Sequence, residues 1–282
     1  MPARNAGRFI GAAIESVLAQ EDVDLELVVV DDASSDDTPD QVGRFDDPRL
    51  RYERTDRHRG IGYCHNLALH LTSAECIAHV DADDVVLPHG LARLLDAARR
   101  PGVGQAYCDF HEIDEAGEAS PESIARWQAF FRLQRGREID YRRELLVHGM
   151  VVNHLRTYPR RVFERVGGFN EGLAYAVDYE MALRLAEHFE FAHVPQQLYA
   201  KRVHAGGVTE GMRFKGPRGL RGLRFWLMRT RIARERAGAQ GGRVLGLSAT
   251  RRRAYLATGL LHELREWLTT GWKDEGTGNL PP

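Results

Sequence analysis

"LELVVVDDASSDDT" (residues 25–38) joins an apolar, β-branched run to a cluster of carboxylates. A short continuous apolar run of this kind predicts a strand that is covered on both faces, as strands of a parallel sheet are. Asp31 and Asp32 follow at its carboxyl end, which is the edge where ligands bind in open α/β sheets. Asp36 and Asp37 come later in the turn, and we predict that they cap the next helix.

Helix and strand patterns alternate along the sequence before and after this strand. Residues 9–18 carry apolar side chains at helical spacing, and CIAHV (76–80) is another short apolar run. Pro88 is predicted to open a further helix, with apolar residues on one face up to Ala98. The repeated strand–helix–strand order predicts an α/β fold with a doubly wound, mostly parallel sheet flanked by helices.

A second acidic cluster follows CIAHV and consists of Asp81, Asp83 and Asp84. Side chains two residues apart on an extended segment point the same way, so Asp81 and Asp83 are predicted to face one ligand. Two carboxylates this close repel each other, and a divalent ion removes the repulsion. Oxygen ligands favour Mg²⁺ or Mn²⁺, which would bridge to a diphosphate. Asp84 is predicted to serve the turn into the helix at Pro88.

Two other interpretations of this string stay open. An Asp after a strand also caps a helix or makes an Asx turn, and a lone Asp would favour that role. The stretch DADDV (81–85) also fits a D-x-D-x-[TV] phosphatase loop, in which the first Asp is the nucleophile. That chemistry needs a later Lys in a supporting context, and Lys273 lies in a tail that is predicted to be disordered.

The overall composition narrows the class of protein. The 282 residues carry 39 Lys and Arg against 40 Asp and Glu, a net charge of −1, so no nucleic-acid partner is expected. The three cysteines are far apart and have no metal-ligand spacing, which is typical of a reducing compartment. No apolar run reaches the roughly 20 residues of a spanning helix. The start, MPARNAG, has no signal-peptide core. These features predict a cytoplasmic location.

Four segments occur in an order that is typical of one enzyme family. MPARNAGRFIGAAIESVLAQ (1–20) has a P-x-[YR]-N loop and a helix after it, and residues 25–38 contain V-D-D-x-S-x-D-x-T. GIGYCHNLAL (60–69) leads into the D-x-D strand, and VGGFNEGLAYAVDYEMALRLAE (166–187) has G-G-F before an acidic helix. Together these motifs resemble family 2 of the inverting nucleotide-sugar glycosyltransferases, which have the GT-A fold. The resemblance covers about residues 1–205.

The resemblance implies a nucleotide-sugar site near the start of the chain. Pro2, Ala3 and Arg4 would line the nucleotide pocket, and Asp32 would contact the base or the ribose. The donor would be a nucleotide diphosphate sugar, of the UDP type.

The resemblance also implies a metal and a base for the reaction. Asp81 and Asp83 would hold Mn²⁺ or Mg²⁺ and the diphosphate, with Asp83 as the direct ligand, and His204 would lie near the metal. Asp178 would take the proton of the acceptor hydroxyl. The other role open to Asp178 is to cap the helix that follows it. The implied reaction is metal-dependent, inverting transfer to a carbohydrate or lipid-linked acceptor of the kind used in cell-envelope polysaccharide synthesis.

Two features depart from the family pattern. The family has a complete strand before the P-x-[YR]-N loop, whereas Met1 directly precedes Pro2 here, so we expect the true start to lie upstream. The family's Arg in A-R-N is His65, and Arg57 or Arg59 would supply the missing charge. These departures leave a second interpretation open, a degenerate nucleotide-sugar binding protein without activity.

The domain organisation follows from the extent of the resemblance. We predict a GT-A domain over residues 1–210, with a nucleotide-sugar half at about 1–114 and an acceptor half at about 115–210. Residues 211–282 are predicted to form a basic, helical C-terminal extension. Within it, the Arg-rich segment 213–253 predicts either a helix on the anionic inner face of a membrane or an amphipathic helix packed on protein.

Overall fold

A computed structural model of the chain describes residues 1–134, 139–147, 150–207, 232 and 254–258. The helices are α1 (Ile10–Leu18), α2 (Thr38–Val42), α3 (Ile61–Leu71), α4 (Gly90–Ala98), α5 (Pro121–Gln134), α6 (Tyr141–Val147), α7 (Arg161–Val166) and α8 (Val177–Leu185). The strands are β1 (Pro2–Ala3), β2 (Leu27–Asp31), β3 (Leu50–Arg54), β4 (Cys76–Ala78), β5 (Val85–Val86), β6 (Val103–Ile113), β7 (Thr157–Pro159) and β8 (Glu190–Arg202).

The chain divides into two compact units. The first consists of residues 1–139 and 152–203, and the second consists of residues 140–151 and 204–282. Most of the predicted C-terminal extension, including nearly all of 213–253, lies outside the described residues, so its helices and its role stay predictions. The division into donor and acceptor halves also stays a prediction.

The first unit contains a parallel sheet built around β2. Its strand order is β1-β2-β3, and both pairings are parallel. All five residues of β2 are buried, as the continuous apolar run predicts. Because side chains alternate along a strand, Leu27 and Val29 pack in the core that contains α1, whereas Val28 and Val30 pack against Cys64 of α3. The helices on both faces confirm the predicted α/β class.

A second sheet in the same unit has the order β4-β7-β6-β8-β5. The two long strands, β6 and β8, are parallel to each other. The short strands β7 and β5 pair antiparallel with their neighbours. Strands of two or three residues show no periodicity in the sequence. The antiparallel strands of this sheet could therefore not be predicted, and the sequence indicated a mostly parallel sheet.

A polar contact joins α3 to the G-G-F turn. The Phe169 amide donates to Asn66 Oδ1 at 2.6 Å, and Asn66 Nδ2 donates to the Phe169 carbonyl at 2.9 Å. A Cβ on Gly168 would lie 2.5 Å from Asn66 Oδ1, so the close approach requires glycine there. Two motifs about 100 residues apart are thereby held together near the start of α8.

Candidate active site

The P-A-R-N loop is tied to the turn after β2 by hydrogen bonds. The Asp32 amide donates to the Ala3 carbonyl at 2.8 Å, and the Ser35 amide donates to Asn5 Oδ1 at 2.8 Å. The Gly7 amide donates to Asp36 Oδ2 at 2.9 Å, and Asp36 Oδ1 also accepts from the Thr38 amide at 3.1 Å. Asp36 therefore fixes the loop and contacts the first residue of α2. The predicted capping by Asp37 is wrong, because Asp37 occupies the N-cap position without a side-chain capping hydrogen bond.

The Asp32 carboxylate holds the segment before α3. It accepts from the amides of Arg59 at 2.6 Å and Gly60 at 2.9 Å, and His58 Nδ1 lies 2.6 Å away. Burial opposes its ionisation, but these hydrogen bonds and the His58 charge outweigh that effect and lower the pKa of Asp32. Asp32 thus shapes the wall of the predicted nucleotide pocket, and its direct contact with a nucleotide stays a prediction.

Pro2, Ala3 and Arg4 border the same region. Pro2 and Ala3 pair with the end of β2, whereas Arg4 is exposed. Burial lowers the pKa of the Met1 amino group to about 6, and the nearby Asp81 charge opposes this shift. Met1, directly before β1, is therefore close enough to Asp81 to be affected by its charge.

The second cluster has two environments. Asp81 and Asp83 are half-buried, whereas Ala82 and Asp84 are buried. The segment is not extended as predicted, because the Asp84 amide donates to the Asp81 carbonyl at 3.2 Å and closes a turn. The prediction for Asp84 is wrong, because its carboxylate accepts from the Arg202 amide on β8 at 2.7 Å instead of capping a helix. Its partner lies far along the chain, which a local turn signal cannot show.

The helix after this cluster also begins later than predicted. It starts at Gly90, and His89 before it has a left-handed backbone with φ of 63°. A Cβ on Gly90 would lie 2.9 Å from Val86 Cγ1 and 3.0 Å from the Leu198 carbonyl, so β5 and β8 fix the start of α4.

Asp178 reaches the second cluster through a buried arginine. Its side chain is 31% exposed in the first turn of α8, and its Oδ2 lies 3.3 Å from Arg156 Nη1. Arg156 Nη2 lies 3.8 Å from Asp81 Oδ2. The structure therefore brings together the predicted base and the first Asp of the D-x-D pair, although nearly 100 residues separate them.

A histidine completes a candidate metal group. One carboxylate oxygen each from Asp81 and Asp84 and one ring nitrogen of His154 lie within 4.8 Å of one another. The Nδ1 atom of His154 is buried and has no hydrogen-bond partner. Two carboxylates and an imidazole suit a divalent ion such as Mn²⁺, so these residues fit the cofactor that the resemblance implies.

Burial, with charge repulsion added to it, raises the pKa of two carboxyls in this group. Burial raises the pKa of Asp84 well above its usual value, and the charges of Asp83 and Asp81 raise it further. Burial also raises the pKa of Asp81, which Arg156 opposes. Burial lowers the pKa of His154, so its ring stays neutral and able to bind a metal.

The sequence analysis missed Asp84, His154 and Arg156 as site residues. A signal for the last two was present, because NHLR (153–156) puts two polar residues at alternate positions around Leu155. The predicted ligand His204 lies in the second unit and stays a prediction. Asp83 as direct ligand also stays a prediction.

Backbone strain is concentrated near these residues. Leu155 and Ala176 adopt left-handed conformations with φ of 50° and 59°, just before Arg156 and Asp178. Asn5 and Ala33 do the same in the two loops at the ends of β1 and β2. Such strain costs about 1–3 kcal/mol per residue and is found mainly where a site needs a particular geometry.

The fold is the GT-A fold of known glycosyltransferase structures. Staphylococcus aureus TarS, solved with UDP-GlcNAc, matches with a TM-score of 0.64 at 18% identity, covering 96% of this chain and 73% of that one. The mannosyltransferase PcManGT from Pyrobaculum calidifontis, solved with GDP-Man and Mn²⁺, matches with a TM-score of 0.59 at 21% identity, covering 99% and 75%. At these identities the likeness shows the fold alone.

The chain belongs to glycosyl transferase family 2, whose family model matches residues 1–167. Chondroitin synthase from Escherichia coli is 31% identical over 212 residues, which are 74% of this chain and 29% of that protein. The chain thus spans less than a third of the length of the first curated relatives that it matches. The family and the fold predicted from the sequence are confirmed.

Proposed function

We propose that this protein transfers a sugar, with inversion, from a nucleotide diphosphate sugar to a hydroxyl of a carbohydrate or lipid-linked acceptor. The observation that carries the proposal is the meeting of Asp81 and Asp178 around Arg156, next to the candidate metal group. Inverting transfer needs one base on the acceptor side and positive charge at the leaving diphosphate. Asp178 would supply the base, and the candidate metal group beside Asp81 would supply the positive charge.

The donor side of the site would bind the nucleotide and the diphosphate. The loop with Pro2, Ala3 and Arg4 would line the nucleotide pocket, and Asp32 would hold its wall through the Arg59 and Gly60 amides. TarS was solved with UDP-GlcNAc, which supports a UDP-sugar, whereas PcManGT was solved with GDP-Man. A UDP-sugar is the donor that we propose.

The metal would lie at the second acidic cluster. Asp81, Asp84 and His154 would hold Mn²⁺ or Mg²⁺, together with Asp83 and His204 as the sequence predicts. When bound, the ion would neutralise the charge that develops on the departing nucleotide diphosphate. The Mn²⁺ in PcManGT supports this choice of cofactor.

The acceptor side of the site would depend on Asp178. Its carboxylate is anchored at the first turn of α8, where Oδ1 accepts from the Tyr179 amide at 2.8 Å. About a third of the Asp178 side chain is exposed to solvent, and an acceptor hydroxyl can approach from that side. Asp178 would take the proton of that hydroxyl as it attacks the anomeric carbon.

A thermal-shift series tests donor and metal binding together. Melting temperatures are compared for UDP, GDP, UDP-sugars and GDP-Man, each with and without Mn²⁺. Because a ligand that binds only the folded state stabilises it, we expect UDP compounds with Mn²⁺ to raise the melting temperature. Equal melting temperatures across the whole series would contradict the proposal.

The cellular setting of this reaction is also proposed. Among the described residues, no helix is long and apolar enough to cross a bilayer. We propose a cytoplasmic enzyme, for which the two predicted roles of segment 213–253 are contact with the inner face of the membrane, where lipid-linked acceptors lie, and packing on protein. Flotation of the protein with anionic and neutral vesicles distinguishes this contact from a helix that packs on protein.

A further inference from the structure

Arg156 is an unusual buried cation. Its side chain is only 8% exposed, and its buried Nε atom has no hydrogen-bond partner within the described part of the chain. Burying a charge costs free energy unless opposite charges or hydrogen bonds compensate for it. The compensation here comes mainly from two carboxylates, those of Asp178 at 3.3 Å and Asp81 at 3.8 Å, with one long contact of 3.4 Å to the Asn153 carbonyl.

Other arginines of this unit have a different environment. The Arg160 guanidinium donates to the carbonyls of Ala74 at 2.7 Å, Leu69 at 3.3 Å and Thr72 at 2.7 Å. These contacts only join α3 and β4 to β7. The Arg156 guanidinium therefore contacts carboxylates of the candidate site, whereas the Arg160 guanidinium donates to backbone carbonyls.

The backbone around Arg156 fixes it against the D-x-D segment. The His79 amide, two residues before Asp81, donates to the Arg156 carbonyl at 2.8 Å. Leu155, the residue before it, is held in a left-handed conformation and is buried. The backbone thus holds the Arg156 guanidinium next to Asp81, and the same guanidinium also contacts Asp178.

We propose that Arg156 is a positioning residue that fixes the carboxylate of Asp178 relative to the diphosphate and metal side of the site. This inference rests on the proposed function. It adds Arg156 as the residue that connects the base to the diphosphate and metal side of the site. A guanidinium can hold two carboxylates at once because its donors form a rigid planar fork. The base is then held in place before the acceptor arrives, which avoids the rate loss that misplaced groups cause.

Steady-state kinetics with three variants test this role. For Arg156→Gln we expect kcat to fall by about 100-fold, the loss typical of a misplaced reacting group. The donor KM should stay within about threefold, since donor contacts are unchanged. Arg156→Lys should recover part of the loss, because an ammonium supplies the charge without the planar fork. Arg160→Lys is the matched control and should leave kcat unchanged.

A double variant separates positioning from general stability. If Arg156 acts through Asp178, Arg156→Gln should cause no further loss of kcat in an Asp178→Asn background, because effects of residues that act as a unit do not add. A further fall of the same size as in the wild-type background would overturn the proposal. So would an unchanged kcat in Arg156→Gln, or an equal loss in Arg160→Lys.

Binding of Mn²⁺ alone gives a readout that does not depend on turnover. Removing a cation beside Asp81 should strengthen the binding of another cation there, so calorimetry should show severalfold tighter Mn²⁺ binding by Arg156→Gln than by wild type. Equal or weaker binding would contradict the pairing. If the wild-type protein transferred no sugar, the proposed function would fail, and this titration would still decide whether Arg156 pairs with Asp81. If Arg156→Gln does not fold, Arg156→Met, which keeps most of the side-chain length and also removes the charge, is used in both experiments.

Discussion

His65 stands where the family pattern led us to expect an arginine, and it forms part of a buried aromatic cluster. Its ring stacks on that of His79 with centroids 4.0 Å apart and planes 8° apart, and both rings contact Phe169. Burial lowers the pKa of both histidines well below their usual value, and nearby positive charges, including that of Arg156, lower it further. Both rings are therefore neutral in the folded protein.

The neutral pair makes stability depend on pH. Because the folded pKa of His65 is lowered below about 6.5, the unfolded state takes up protons first as the pH falls. The free energy of unfolding should therefore be highest above pH 7 and should fall between about pH 6.5 and 5, by up to about 1.4 kcal/mol per pH unit for each histidine. Urea denaturation at a series of pH values measures this slope.

Two variants show whether the slope comes from this pair. His65→Phe keeps an aromatic ring in the stack and should make the slope shallower. His70 is exposed on the same helix, so His70→Gln should leave the slope unchanged. The same slope in His65→Phe as in the wild type would show that His65 does not carry the effect.

The residues that form the site differ in how far the sequence predicted them. The D-x-D residues and Asp178 were found because local motifs mark them. Asp84, His154 and Arg156 gained their roles through partners about 20–120 residues away, and the alternation in NHLR (153–156) marks two of them without identifying those partners. Tertiary packing determines which distant residues pair with a buried charge, and a single sequence does not reveal this pairing.

At the scale of elements, a close packing contact lies between β6 and the segment that joins α8 to β8. A Cβ added to Gly104 on β6 would lie 2.4 Å from Phe189 Cβ, and the backbone-proximal atoms of Phe189 cannot move away freely. We expect Gly104→Ala to destabilise the protein by about 1–3 kcal/mol, the usual cost of overpacking a core.

Gly11 provides the matched control for this substitution. It lies inside α1, and a Cβ there would have no atom within 4 Å. Because alanine is a better helix former than glycine, Gly11→Ala should stabilise the protein by about 0.5–1 kcal/mol. Opposite shifts of the urea midpoint are expected for the two variants, and a stabilised Gly104→Ala protein would contradict the packing described.

Elements were predictable where one pattern covered enough residues. The buried strand β2 and the amphipathic helices α1 and α8 follow from five or more residues of consistent periodicity. The strands β1, β5 and β7 have only two or three residues, and long-range pairing alone defines them. The antiparallel part of the second sheet therefore became visible only in the structure.

At the scale of the whole molecule, each of the two sheets has an acidic cluster beyond the carboxyl end of one of its strands. The parallel sheet supplies Asp32, and the second sheet supplies Asp81 with its neighbours. The arginine that links Asp81 to Asp178 then connects this edge to α8. The central claim is that this edge binds a nucleotide diphosphate sugar with a metal and that Asp178 activates the acceptor.

Release of nucleoside diphosphate from a panel of UDP-sugars and GDP-Man, with acceptor sugars, tests this claim most directly. The account predicts release that EDTA abolishes and Mn²⁺ restores, and that is lost in Asp83→Ala. Asp178→Asn should bind the donor normally but turn over about 10²–10⁴ times more slowly, the usual contribution of a general base. The exposed Asp96 gives a control, Asp96→Asn, that should keep full activity. Metal-independent release, or full turnover in Asp178→Asn, would contradict the account.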